Sequence, residues 1–260
     1  MEDKRCTASD EPDRARFRIL GEDFFNQDSP GLARALIGKV LRRRWQNQWL
    51  SARIIETEAY RLDERGSHAS LGYTHKRRAL FMAGGTIYMY YARGGDSLNF
   101  SAAGPGNAVL IKSAYPWIDR IAGPVALAVM QAENPDAQGA PRPLQRLCAG
   151  QTLLCRALAL RVPDWDAASF DPDVFFVDDV GESPQTLIET TRLGIPTGRD
   201  EHLPYRYVDP GYARYCTRNP LRRGQTAPLH YRWVDRDGKV AAVQEFPADL
   251  MPIASPPSSL

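Results

Sequence analysis

The sequence predicts a single mixed α+β domain. Three observations predict it. Segments rich in β-branched and aromatic residues recur at 49–60, 86–91 and 108–112. Helix-like apolar spacing occupies 29–37 and returns around 126–133 and 153–160. No internal repeat and no linker-like stretch divides the chain, and 260 residues suffice for one sizeable core.

Taken in order, residues 1–16 are polar and charged and read as a flexible N-terminal arm. The folded domain is expected over 17–247 and a Pro/Ser-rich tail over 248–260. Its first helix starts where Asp28 or Ser29 can cap it and Pro30 suits the first turn. Leu32, Leu36 and Ile37 form its apolar stripe, and Gly38 ends it. Trp49 to Tyr60 then reads as a strand. On a period of two, Ile54, Glu56, Glu58 and Tyr60 share one of its faces. A polar segment, Arg61 to Lys76, carries Gly, Ser and His. Thr86 to Tyr91 reads as a second strand, Gly94-Gly95-Asp96 as a tight turn, and Ala108 to Lys112 as a third strand. Helical stretches at Ala126–Glu133 and Leu153–Leu160 flank a Pro/Gly-rich loop at 134–143. Residues 171–191 return to strand-like text around Val174-Phe175-Phe176-Val177.

Composition narrows the function classes. Hydrophobic residues make up 43% and charged residues 25%, which suits a globular chain and excludes a fibrous one. No apolar run approaches the ~20 residues of a membrane span. The polar start has no apolar h-region of a secretory signal, so the expected location is the cytoplasm or nucleoid of a bacterium, or a nucleus. Cys6, Cys148, Cys155 and Cys216 show no CxxC spacing and no nearby His, so reduced thiols are expected and no metal site. The net charge is only +2, yet the positive charge is mostly arginine, a side chain suited to phosphate and base edges.

The residues that carry chemistry cluster in the first half. Glu56-Thr57-Glu58-Ala59-Tyr60 is followed by His68, then Tyr88-Met89-Tyr90, then Asn99. Each alone is ordinary. Together they supply carboxylates, aromatic faces, an imidazole and an amide, the parts of a stacking slot with an acid/base group. Glu56 faces the same side as Glu58. A paired-carboxylate mechanism competes with a salt bridge to Arg53 or Lys112, and the salt bridge is the favoured reading. Arg77-Arg78 and Arg42-Arg43-Arg44 are candidates for phosphate contacts.

The order IIETEAY (54–60), a His-bearing polar loop, FMxxGTIYMY (81–90), Asn99 and LCAGQTLLCRALAL (147–160) resembles the alkyladenine (3-methyladenine) DNA glycosylases of the mammalian type. The similarity runs from about Phe17 to about Thr217. It implies a domain built around a curved antiparallel sheet surrounded by helices. It implies a monofunctional enzyme of base excision repair that flips an alkylated, or deaminated, purine from duplex DNA and hydrolyses its N-glycosidic bond. No metal and no cofactor are implied. The partner is double-stranded DNA containing damaged purines, with no membrane, and the expected state is a monomer. In this resemblance Glu58 matches the base that activates water. Tyr60 and Tyr90 match the aromatic sandwich, His68 the imidazole at the pocket edge, and Asn99 the amide that screens against guanine. Val208 matches a backbone carbonyl near the water. Three positions depart from the pattern. Arg93 stands where a tyrosine wedge is usual, Lys112 where an arginine is, and Leu153 where a lysine is. The retained Glu58 favours the enzyme. Two other readings stay open: a damaged-base binding protein that has lost turnover, and a nucleoside or sugar hydrolase using Glu56 and Glu58 without DNA.

Overall fold

Among the described residues, nine strands form one antiparallel sheet, and its longest member, β2 (Gln48–Tyr60), is the strand on which the others are arranged. The computed structural model describes residues 17–92 and 94–241. Residues 1–16, Arg93 and the tail at 248–260 therefore lie outside the described residues, as does Cys6.

Helices α1 (Glu22–Phe25) and α2 (Ser29–Leu36) come first. The Asp28 side chain caps α2 by accepting from the Gly31 N–H at 2.9 Å, and Leu32, Ala33 and Leu36 form the buried face. Gly38 turns the chain at φ +91°, where a Cβ would meet the Glu182 carbonyl at 2.8 Å. Strand β1 (Val40–Trp45) then pairs with β2 through a two-residue turn. Gln46 and Asn47 both take positive φ there, the backbone a tight hairpin requires.

β2 has different partners along its length. Its first half pairs with β1, which pairs in turn with β6 (Phe175–Asp178). Its second half pairs with β8 (Arg206–Val208), followed by β7 (Thr186–Thr190) and β9 (Tyr231–Asp235). Along its other edge runs β5 (Ala108–Pro116), then β4 (Gly95–Ser101) and β3 (Ile87–Ala92). The sheet thus forks at the middle of β2. Helices α3 (Gly123–Glu133), α4 (Gln151–Ala157) and the short α5 (Val162–Trp165) complete a mixed α+β domain.

At the fork the β2–β5 ladder is irregular twice. Ile54 faces Ala114 and Glu56 faces Ser113, so Ile55 is an extra residue on β2. Thr57 then faces Ile111, so Lys112 is an extra residue on β5. Each insertion reverses which side chains face which side. Ile54 lies in the main core with Ala52 and Ala59, while Ile55 joins a second cluster with Ile188 and Val208. Beyond the bulge Thr57 faces α2, where its hydroxyl donates to the Ala33 carbonyl at 2.9 Å. The strict period of two across 54–60 is therefore corrected: Glu56, Glu58 and Tyr60 do not share their face with Ile54.

The reading of the arginine run 42–44 is corrected as well at Arg42 and Arg43, while Arg44 is exposed. Arg42 is 1% exposed, and its guanidinium bonds Asp178 at 3.0 Å, Ser51 at 3.0 Å and Asp119 at 2.8 Å. It ties β1, β2 and β6 to the start of α3 and cannot reach a phosphate. Arg43 is buried too, stacked between Trp45 and Trp165. Among the described residues, no helix is long and apolar enough to cross a membrane. Arg42→Ala is expected to cost about 3–5 kcal/mol, because Asp178 and Asp119 lose their buried cation. The expected readout is a lower denaturation midpoint with an unchanged salt dependence of DNA binding. A normal midpoint with a reduced salt slope would restore the phosphate contact.

Candidate active site

One cross-strand row assembles the site. Tyr88 on β3 faces Asn99 on β4, Asn99 faces Leu110 on β5, and Leu110 faces Glu58 on β2. Residues far apart in the chain thereby share one line across the sheet. The second irregularity adds Lys112, whose Nζ lies 3.6 Å from Glu58 Oε2. Above this row opens a cavity of about 550 Å³, within the ~300–1,000 Å³ usual for small-molecule sites. Tyr60, His68, Tyr88, Tyr90, Asn99 and Lys112 all line it. The site thus brings together six of the residues singled out in the sequence; Glu58 does not itself line the cavity but lies directly behind the wall, bonded to Tyr60 and Leu193, which do.

Glu58 is 0% exposed. A buried carboxylate must be hydrogen-bonded. Its Oε1 accepts from the Leu193 N–H at 2.9 Å and its Oε2 from the Tyr60 hydroxyl at 2.8 Å. Two donors leave acceptor capacity on the two oxygens. Burial pushes the Tyr60 phenol well above its usual range, and the Glu58 charge and hydrogen bond push it further the same way. Tyr60 therefore remains a proton donor to Glu58 far into alkaline pH.

The back of Tyr60 is held by Arg192, whose guanidinium lies 4.6 Å from the ring centroid. Arg192 is wholly buried, donates to the Ala59 carbonyl at 2.9 Å and pairs with Glu64. It fixes the loop that delivers the Leu193 N–H. On the opposite wall the His68 ring lies 4.5 Å from Tyr90, and His68 Nδ1 is 3.2 Å from the Tyr88 hydroxyl. The Asn99 amide nitrogen donates to the Tyr88 carbonyl at 3.1 Å, which pins its side chain to the wall. The rim is formed by the β3–β4 hairpin, where Ala92 lines the cavity, and by the start of α4. A Cβ at Gly95 would lie 2.1 Å from Thr152, so glycine lets the hairpin and helix touch. Arg93, in this hairpin, lies outside the described residues. Leu153 lines the same rim.

Other expectations land elsewhere. Val208 is fully buried in the second cluster, paired with Glu56 and Ile188, and does not line the cavity. The backbone that reaches Glu58 is that of Leu193 instead. Leu193 and Arg192 were missed because they end a strand-like run, although Gly194-Ile195-Pro196 signals a break there. Glu56 is salt-bridged, but to Arg206 at 2.6 Å rather than to Arg53 or Lys112. Arg78 pairs with Asp166 at 3.6 Å, and the Arg77 guanidinium donates to the Gly72 carbonyl at 2.7 Å. Neither lines the cavity. Cys148, Cys155 and Cys216 are buried free thiols. Among the described residues, no three His, Cys, Asp or Glu side chains are grouped to hold a metal ion.

Desolvation, and then the Arg77 charge, hold the His68 imidazole below its ordinary range. It is thus neutral at pH 7, and its contribution to stability is present above the unfolded value near ~6.5 and lost as pH falls. An NMR titration of His68 is expected to show a depressed midpoint. Arg77→Ala removes a like charge, favours the imidazolium and should raise that midpoint. A midpoint that stays or falls would contradict the assignment.

Similarity to known proteins gives the family. The family model described as Methylpurine-DNA glycosylase (MPG) matches residues 23–213. A protein of Pseudomonas fluorescens is 68% identical over 212 residues, covering 82% of this chain and 92% of its own. One of Pseudomonas aeruginosa is 67% identical over 214 residues, covering 82% and 90%. A more distant one, of Koribacter versatilis, is 34% identical over 204 residues, covering 76% and 92%. All three carry the name "Putative 3-methyladenine DNA glycosylase". Over its cavity-bearing sheet and most of its length, this chain belongs to the methylpurine-DNA glycosylase family.

Proposed function

We propose that this chain removes alkylated purines, 3-methyladenine first among them, from double-stranded DNA by a water that Glu58 activates. The observation that carries the reading is a buried carboxylate directly behind the wall of an aromatic cavity, bonded to Tyr60 and 3.6 Å from Lys112, both of which line it. Family membership and the names of its relatives support the substrate class. In this reading the enzyme works as a monomer in a bacterial cytoplasm, in base excision repair.

The chemistry follows from the residues. A duplex hides the glycosidic bond, so the damaged nucleotide must leave the stack. The cavity receives its base between Tyr60 and Tyr90. An alkylated purine such as 3-methyladenine already carries positive charge and leaves without a strong acid. Electron-rich rings favour that cation by about 0.5–2 kcal/mol per contact. The sugar then develops oxocarbenium character, which a buried carboxylate stabilises in low dielectric. Glu58 also accepts the proton of the attacking water. The proton leaves the water, its oxygen bonds the anomeric carbon, and the C–N electron pair departs with the purine. Asn99, fixed by the Tyr88 carbonyl, presents bulk against an exocyclic amino group. Lys112 supplies a charge near the water and the sugar. Arg93 is assigned the gap left in the stack, where a guanidinium can lie flat on the bases.

Glu58→Gln is expected to lower single-turnover base release by ~10²–10⁴-fold, the usual contribution of one general base. Binding to a duplex with an abasic-site analogue should stay near normal. Near-normal release by this variant would remove Glu58 from the mechanism.

A further inference from the structure

The first glutamate of Glu56-Thr57-Glu58 is used by none of the chemistry above, yet it is fully buried. We propose that Glu56 is a positioning residue that sets an arginine-bearing loop, residues 216–223, against the phosphate backbone of the substrate DNA. This rests on the duplex-DNA reading of the site.

Glu56 is engaged by the protein on both of its oxygens. Its Oε1 accepts from Arg206 Nε at 2.6 Å. Its Oε2 accepts from the Thr217 N–H at 2.9 Å and from the Ser113 hydroxyl. The Arg206 fork reaches onward, its Nη2 donating to the Arg218 carbonyl. One buried ion pair therefore holds consecutive backbone groups, the N–H of Thr217 and the C=O of Arg218. The loop has little else to fix it there, since these residues lie outside strands and helices. Cys216 and Leu221 pack into the second cluster and anchor its body.

What this anchor presents is positive charge at the cavity. Thr217 lines the cavity wall, and Arg218 follows it directly. Arg218, Arg222 and Arg223 are exposed. Among the described residues, none of these three guanidiniums has an ion pair or a hydrogen bond. Arg42, Arg53, Arg192 and Arg206, by contrast, are each engaged by carboxylates. Three unengaged guanidiniums on an exposed loop whose Thr217 lines the cavity suit the phosphates flanking a flipped nucleotide, which position a duplex without reading its sequence. The pair Glu56–Arg206 thus converts the bulge at the centre of the sheet into a fixed distance between Glu58 and the DNA backbone.

The test measures affinity of the full chain for a duplex bearing an abasic-site analogue across a potassium chloride series. Arg218→Ala, Arg222→Ala and Arg223→Ala combined should flatten the log–log salt slope by about 2–3 units, at about 0.9 per lost phosphate contact. The single-turnover release rate at saturating enzyme should stay within about twofold. Glu56→Gln should weaken binding and flatten the slope in the same direction. It should leave the single-turnover release rate at saturating enzyme within about twofold, and add little in the triple-alanine background. If Glu56→Gln does not fold, Arg206→Lys serves, because it keeps a cation beside Glu56 but lacks the fork that also reaches Arg218. A triple variant with the wild-type slope overturns the proposal. So does a folded Glu56→Gln, or Arg206→Lys in its place, with unchanged slope. A wild type that binds the duplex with a normal slope yet releases no base would instead sink the excision reading and leave this surface standing.

Discussion

The double irregularity between β2 and β5 is the constraint on which the site depends. A regular ladder would put Ile54, Glu56, Glu58 and Tyr60 on one face and force carboxylates into the main core. Inserting Ile55 on one strand and Lys112 on the other reverses the faces at mid-strand. The apolar side of the sheet stays continuous under α2, with Thr57 and Ala59 replacing the even-numbered residues. The polar side gains Glu58 and Tyr60, and Lys112 is aimed at the same point. A local change of one residue per strand thus separates core from cavity.

Buried charge is expensive unless paired and hydrogen-bonded, and the two glutamates meet that demand differently. Glu56 is closed, with Arg206, Thr217 and Ser113 on its oxygens. Glu58 has two neutral donors, an ammonium beyond hydrogen-bond length and a cavity above it. The first arrangement suits a strut and the second a group that must act on something brought to it. Arg192 serves the second from behind, since it holds both the Tyr60 ring and the loop of Leu193.

Much of this was legible in the sequence. Strand 49–60, the 86–91 strand and the Asp28 cap follow from β-branched runs, aromatic residues and local side-chain chemistry. β1 was not, because Arg42-Arg43-Arg44 looks like a solvated charge run; burial beside Asp178 and Asp119 is a tertiary fact. β4 was not, because Gly95, Asp96, Ser97 and Asn99 are poor strand formers that pairing with β3, and at Asn99 with β5 as well, overrides. Of the site, Tyr60, His68, Tyr90, Asn99 and Lys112 were readable as residue types in order. The Leu193 contact was not, since a backbone N–H carries no sequence signature. Val208 shows the reverse error: its motif looked similar, but it pairs with Glu56, two residues short of Glu58, and does not line the cavity.

The most direct measurement is base release from methylated duplex DNA, compared with release from the corresponding free nucleosides. The account predicts free 3-methyladenine from the duplex, with no added metal or cofactor. It predicts little or no cleavage of the nucleosides, because the cavity depends on a flipped nucleotide presented by DNA. Equal release from nucleosides, or tight duplex binding with no base released, would contradict it.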